Sequence, residues 1–362
     1  MTWPGTAAGP QEAVAAGAGQ LQEASGGSAL AAAHPGGAAG TKGRRPTAGP
    51  WTRFLLRRTG RLLASLACLV VASFALIHFV PGDPVRAALG VTAPVELVES
   101  RRRLLGLDRP ILEQFWSYLS GLLHGDLGTS LTSSLPVSKV IGDRFVSTAV
   151  LAGLAFAVVM VVALPLGMLL GILTRDGRRR RLELAFVALA NTLTGIPSFL
   201  LAVGAVTLFS VGLSLLPVAG RSGPGSWVLP VFTLAAGPAA TLALIVRVET
   251  LRVLSQDYMR TARAKRLPTR LLYLRHALPN MLTAALTLGG LLLGGLVAGT
   301  VLVENVFAWP GLGTTIVGSI NSKDYPLVQG VVLVLGGAVL VINLVVDLLV
   351  AVFDPRSTVL ET

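Results

Sequence analysis

Arg260, Arg263, Arg266 and Arg270 recur every three or four residues in the stretch running from Asp257 to Asn280. That spacing lines them along one stripe of a helix. Leu267, Leu271, Leu274 and Leu278 recur at nearly the same period and predict a second, apolar stripe if the whole stretch is one helix. An amphipathic basic helix either lies on a membrane surface or seats in a groove on a partner. Its chemistry is docking. Catalytic patterns are missing: the chain holds no Gly-x-x-x-x-Gly-Lys-Ser/Thr, no His-Glu-x-x-His and no Gly-x-Ser-x-Gly. Arginine-rich loops cannot hydrolyse ATP, so any ATP-driven work needs a motor on another subunit.

The residues around this stretch are too apolar for a soluble protein. Of 362 residues, 52% are hydrophobic and 13% charged, and the mean hydropathy is +0.70. The apolar residues fall into runs close to the roughly 20 residues that a bilayer needs. Six spans are predicted: Leu62 to Val80, Thr148 to Leu173, Leu184 to Leu216, Val228 to Val246, Leu282 to Val303 and Val328 to Phe353. The third is too long for one upright helix. Gly195-Ile196-Pro197 is expected to bend it or to leave its first part at the interface. The fold class is an all-α integral membrane protein of six transmembrane helices.

The net charge of +12 suggests nucleic acid until its distribution is considered. With a cytosolic N-terminus and six spans, 21 of the 30 basic residues fall in cytosolic segments. This is the positive-inside pattern, and it puts both termini in the cytosol. The excess charge is topological, with a weaker pull toward anionic lipid, and nucleic acid is not an expected partner. Cys68 is the sole cysteine, so no intrachain disulfide or cysteine-based metal site can form.

Five parts follow along the chain. Residues 1–50 are an Ala/Gly-rich tail that cannot bury enough surface to order itself, and no signal peptide is expected there. Residues 51–80 are an interfacial anchor (Trp51, Arg53, Arg57, Arg58, Arg61) and the first span. Residues 81–145 make an external loop long enough to fold, with Ile111, Phe115, Tyr118, Leu119 and Leu122 at helical spacing after Pro110. Residues 146–356 form a core of five spans containing the loop 247–280, and 357–362 are a short cytosolic tail. Ionisable groups inside membranes are costly and often mark ion pathways, yet only His78 and Asp347 qualify. Asp347 shares a face with Asn343 and reads as a contact to a neighbouring helix. This scarcity argues against the competing reading, a six-span secondary transporter or channel.

The same basic stretch resembles the coupling loop of ABC permeases of the dipeptide/oligopeptide type. In that family the pattern is Glu-Ala-Ala, three residues, Gly, nine residues, Ile-x-Leu-Pro. Here Arg260-Thr261-Ala262 stands in the triplet, Arg263-Ala264-Lys265 follows, Arg266 takes the glycine position, and His276-Ala277-Leu278-Pro279 closes it. The external motifs Pro81-Gly82-Asp83-Pro84, Leu105-Gly106-Leu107-Asp108 and Gly125-Asp126-Leu127-Gly128 are similar to that family's external segment. Glu304-Asn305-Val306-Phe307-Ala308-Trp309-Pro310-Gly311 resembles its gate-side segment. The resemblance implies that the loop, including Leu267, Leu271, Leu274, Leu278 and Pro279, couples to an ATPase, and that Glu304, Phe307 and Trp309 border an external gate or path. Taken singly, Phe307 and Trp309 read as interfacial belt anchors.

It further implies an importer for peptides or similar solutes in the inner membrane. Its partners would be a second homologous permease, two ATPase subunits holding ATP and magnesium, an external solute-binding protein and the lipid bilayer. This chain itself would carry no cofactor. A family glycine permits a sharp turn, so Arg266 is expected to strain the backbone if that position has positive φ.

Overall fold

The computed structural model describes residues 50–79, 83–90, 92–104, 106–177, 179–221 and 223–353, so both expected tails lie outside the described residues, as do Pro81, Gly82 and Leu105 and the side chain of His78. Among the described residues the architecture is helical, apart from one isolated bridge between Thr129 and Pro136.

Five helices are long and apolar enough to cross a membrane. They are α1 (Pro50–Phe79), α5 (Val137–Leu173), α8 (Val228–Ser255), α11 (Leu278–Val306) and α13 (Tyr325–Phe353). Between α1 and α5 lie α2 (Pro84–Leu89), α3 (Val95–Leu104) and α4 (Ile111–Leu123). The segment between α1 and α5 is therefore folded into short helices. It leans on α1: Phe74 meets the rings of Phe115 and Tyr118 at 5.2 and 5.8 Å between centroids.

The sixth span is the bent one. Helix α6 (Arg180–Gly195) ends at Ile196, Pro197 starts α7 (Ser198–Ala205), and the pair, extended by a wide π turn to Gly212, is bent by 98°. Proline lacks an N–H and excludes helical geometry from the residue before it, which accounts for the break.

Small residues set the packing of the central pair. On α5, Ala155, Val159 and Ala163 are wholly buried, and Gly167 and Gly171 continue the same four-residue stripe. A Cβ on Gly167 would lie 2.6 Å from the Ala243 carbonyl oxygen, and one on Gly171 would lie 2.7 Å from Thr250. Only glycine lets the backbones of α5 and α8 approach this closely, the usual membrane solution where the hydrophobic effect between helices is weak. Helices α11 and α13 use the same device, with Gly290 against Val346 and Gly294 against Asn343.

Asp347, expected to contact a neighbouring helix, forms an ion pair with Arg58 of α1. Arg58 also lies over the Phe54 ring at 5.6 Å, and Phe54 is buried against Ala351 and Leu348. The first turns of α1 are thus packed on α13.

Candidate functional site

The basic segment begins with α9 (Asp257–Ala264), directly after α8. Met259 and Ala262 of α9 are buried with Val253, Leu254, Leu272, Ala277 and Met281 in one apolar cluster, which fixes the segment to the membrane helices. Arg263 donates to the Leu254 carbonyl at 2.8 Å, one of the carbonyls that the end of α8 leaves free. Burial first, and then repulsion from Arg175, lowers the Arg263 pKa from the ordinary guanidinium range. That repulsion places the two basic loops, 175–181 and 247–280, in one electrostatic neighbourhood. Arg260 pairs with Asp257 at 3.5 Å, but both are well exposed and the pair contributes little.

The end of α9 is a Schellman motif. Leu267 N–H donates to the Ala262 carbonyl at 3.4 Å and Arg266 N–H to the Arg263 carbonyl at 2.9 Å. The motif needs a left-handed residue where the family has glycine, and Arg266 adopts it at φ 52°. The conditional strain raised by the sequence is therefore present.

One expectation requires correction. The segment is not a single helix with one leucine stripe. It turns at 265–268, restarts as α10 (Thr269–Leu271), and passes through a π turn, Leu272–Ala277, into α11. The π turn, closed by Leu278 N–H on the Tyr273 carbonyl, carries the chain past Pro279, whose ring would clash in a regular helix. As a result Leu267 and Leu278 pack against the buried cluster, whereas Leu271 and Leu274 are 38% and 50% exposed. Tyr258, Arg260, Thr261, Ala264, Lys265, Arg266 and Arg270 of the same segment are exposed as well. A surface both apolar and basic, on a segment locked from beneath, is suited to docking.

At the end of α11 the residues of the proposed gate are buried, not lodged in an interfacial belt: Glu304 and Trp309 are fully enclosed and Phe307 nearly so. Glu304 accepts from Thr148 Oγ1 at 2.7 Å and from Gly313 N–H at 2.6 Å, while Thr148 in turn accepts from Leu312 N–H at 2.8 Å. Gly311 and Gly313 leave the room, since a Cβ on either would lie 2.4 or 2.8 Å from the Glu304 carboxylate. Trp309 donates to the Ser147 carbonyl at 3.4 Å and meets Trp227 edge-on at 4.3 Å. Arg221 caps both rings, 5.0 Å from one and 5.9 Å from the other. The network ties α5, α11, α12 (Leu312–Asn321) and the loop before α8 into one block.

Two further clusters involve Arg247, which the sequence did not single out, and Asp324, which stands in the family-like run Lys323-Asp324-Tyr325-Pro326. Arg247, buried on α8, pairs with Glu183 of α6 at 2.6 Å and donates to Thr174 at the end of α5 at 3.1 Å. Asp324 accepts from Leu131 N–H at 3.0 Å, Thr132 N–H at 3.2 Å and Thr132 Oγ1 at 2.6 Å, and also from Ser130. It fastens the loop 129–136 to the start of α13. The signal for Arg247 lay in its position, a cation at the edge of a span with Glu183 in the neighbouring basic loop. The motif around Asp324 gave no sign of its partners, because the donors are backbone and hydroxyl groups almost 200 residues earlier. No group of three or more potential metal ligands occurs among the described residues.

Residues 163–359 match the family described as "Binding-protein-dependent transport system inner membrane component", and residues 51–152 match its N-terminal membrane-component region. The glutathione transport system permease protein GsiC of Salmonella choleraesuis (strain SC-B67) is 38% identical over 302 residues, covering 83% of this chain and 97% of the relative. The protein of the same name from Pectobacterium atrosepticum is 38% identical over 304 residues, with coverage of 83% and 97%. A crystal structure of an amino acid ABC transporter covers 60% of this chain and 94% of its own with a TM-score of 0.43 and 14% identity, too distant to carry an argument.

Proposed function

Because this chain belongs to the binding-protein-dependent transport system inner membrane components, we propose that it is one of two homologous but dissimilar permease chains enclosing the path of an ATP-driven peptide importer. As a family member it is a multi-pass permease subunit of an ABC importer in the inner membrane, and ATP hydrolysis belongs to partner subunits. The substrate class follows from its relatives, whose name assigns them to glutathione, a tripeptide.

In this reading the core 146–356 forms half of the path, two ATPase subunits sit on the cytosolic side with both termini, and an external binding protein delivers the solute. The segment 257–280 seats on an ATPase. The observation that carries this is the outward surface of Leu271, Leu274 and Tyr258 among arginines, held from below by Met259, Leu272 and Ala277. Closure of the ATPases would move this segment as a rigid body with α8 and α11, to which it is packed. Glu304, Phe307 and Trp309 would then be the fixed end of the outer gate. Their block would move as a unit because the Glu304 carboxylate is bonded to Thr148 of α5 and to Gly313 of α12.

Co-purification tests the assembly. The tagged chain, expressed with its neighbouring ATPase, permease and binding-protein genes, is expected to be recovered with a second permease and two ATPase chains. Stable, transport-active material containing this chain alone would overturn the reading.

A further inference from the structure

The elbow of the bent span opens on a cavity of about 330 Å³ between α6, α7, α8 and α11, at the lower end of the volumes that hold small ligands. Its lining is mixed and uncharged: Thr194, Ser198, Thr233 and Thr241 supply hydroxyls among leucines and glycines, and no ionisable side chain borders it. Thr233 is 2% exposed, yet its hydroxyl has no hydrogen-bond partner. In a helix such a hydroxyl ordinarily turns back onto a carbonyl one turn earlier, as Thr241 does onto Gly237 at 3.1 Å. Thr233 does not.

Two prolines add acceptors. Pro197 and Pro238 have no N–H, so the carbonyls of Leu193 and Leu234, one turn earlier, lose their helical donor. Both leucines border the cavity, and the Leu193 oxygen is 3.7 Å from a Cβ built on Gly237. The opening N–H groups of α7 at Ser198 and Phe199 precede its first internal bond. Within a membrane protein, non-helical backbone persists where it is buried in protein or lines a water-filled cavity.

We propose that this elbow is a solute subsite that takes the neutral amide groups of a peptide backbone. The two proline-freed carbonyls accept amide N–H and the Thr233 hydroxyl donates to amide C=O, whereas Thr194 and Thr241 already donate to carbonyls of their own helices. Charged chain ends find no counter-ion here and remain hydrated in the path. The inference rests on reading the cargo as a peptide, and it adds where and by which groups that cargo is held.

The test uses the assembled complex in nanodiscs with Cys68→Ala as background. Gly295 borders the cavity and a Cβ built on it meets nothing within 4 Å, so Gly295→Cys fits without repacking. Val345→Cys, in a wholly apolar groove between α11 and α13, is the control. A hydrophilic thiosulfonate is expected to modify Gly295→Cys at least tenfold faster than Val345→Cys. N-acetyl-dialanine amide at millimolar concentration is expected to slow that reaction severalfold, with protection lost in Thr233→Val and restored in Thr233→Ser. Modification of Gly295→Cys only by a lipophilic maleimide would show acyl chains in the elbow and overturn the proposal. Protection that survives Thr233→Val would likewise overturn the assigned contact. Uptake of glutathione by the parent complex reads the cargo separately: its failure beside intact labelling and protection removes glutathione as the cargo and leaves the amide subsite standing.

Discussion

Arg266 holds a left-handed backbone that costs an L-residue roughly 1–2 kcal/mol, in a turn where the family carries glycine. Arg266→Gly is expected to stabilise the turn by up to about 1 kcal/mol, less the added freedom of the unfolded chain. Arg266→Val, β-branched at positive φ, is expected to lower the melting temperature measured in detergent. If Arg266→Gly proved the less stable variant, the guanidinium would have to do more than tolerate the turn.

Asp324 gives a pH prediction. Burial pushes its carboxyl upward, but the Ser130 and Thr132 hydroxyls and the Leu131 and Thr132 N–H groups outweigh that, leaving the pKa below the ordinary value. A carboxylate with a depressed folded pKa stabilises above its unfolded value, about 3.9, and the contribution fades as pH falls from there through the folded value. The loop 129–136 is therefore expected to stay fastened at neutral pH and to gain protease sensitivity below about pH 4. Asp324→Ala should release it at neutral pH, at a cost of about 2 kcal/mol. A loop equally resistant in Asp324→Ala would contradict the fastening.

Among the elements, the spans and the bend at Pro197 were legible because hydropathy and a proline act locally. Asp347 was legible as a helix contact, although its partner Arg58 was not, since 289 residues separate them. The basic segment 257–280 departs from its leucine pattern in a particular way. Leucine period alone makes Leu267 to Leu278 one stripe, whereas a left-handed Arg266 followed by Pro268 resets the helix phase and divides the four leucines between inside and outside. Phe307 and Trp309 read as belt residues because aromatic type and span end suggest it. Their burial depends on Ser147 and Trp227, which only the fold brings near. Packing of α5 on α8 offers a sharper test. Gly167→Ala places a methyl 2.6 Å from a backbone oxygen that cannot move independently, and about 1–3 kcal/mol of destabilisation is expected in thermal unfolding. An unchanged transition would mean that the two helices pack less closely than described.

For the whole molecule, the proposed topology, with the excess positive charge and the locked basic segment both in the cytosol, makes the chain a conduit worked from that side. Membrane-impermeant thiol labelling of intact cells, on a Cys68→Ala background, is expected to reach His124→Cys and not Arg270→Cys, both exposed on the subunit. External labelling of Arg270→Cys would invert the topology and remove ATPase docking with it.

Capture of the partner ATPase by Leu271→Asp, set beside Leu272→Asp, asks most directly whether the segment couples. Leu272 is 6% exposed, and a charge there should prevent folding of the subunit. Leu271 is 38% exposed in the lone subunit, so Leu271→Asp should insert, fold and melt like the parent. In the assembly it would face the ATPase groove, where an unpaired charge is strongly unfavourable. ATPase recovery in pull-down and solute-stimulated ATP hydrolysis should both fall at least tenfold. Normal recovery and normal coupled hydrolysis in Leu271→Asp, at normal expression, would show that this face meets lipid and not a motor.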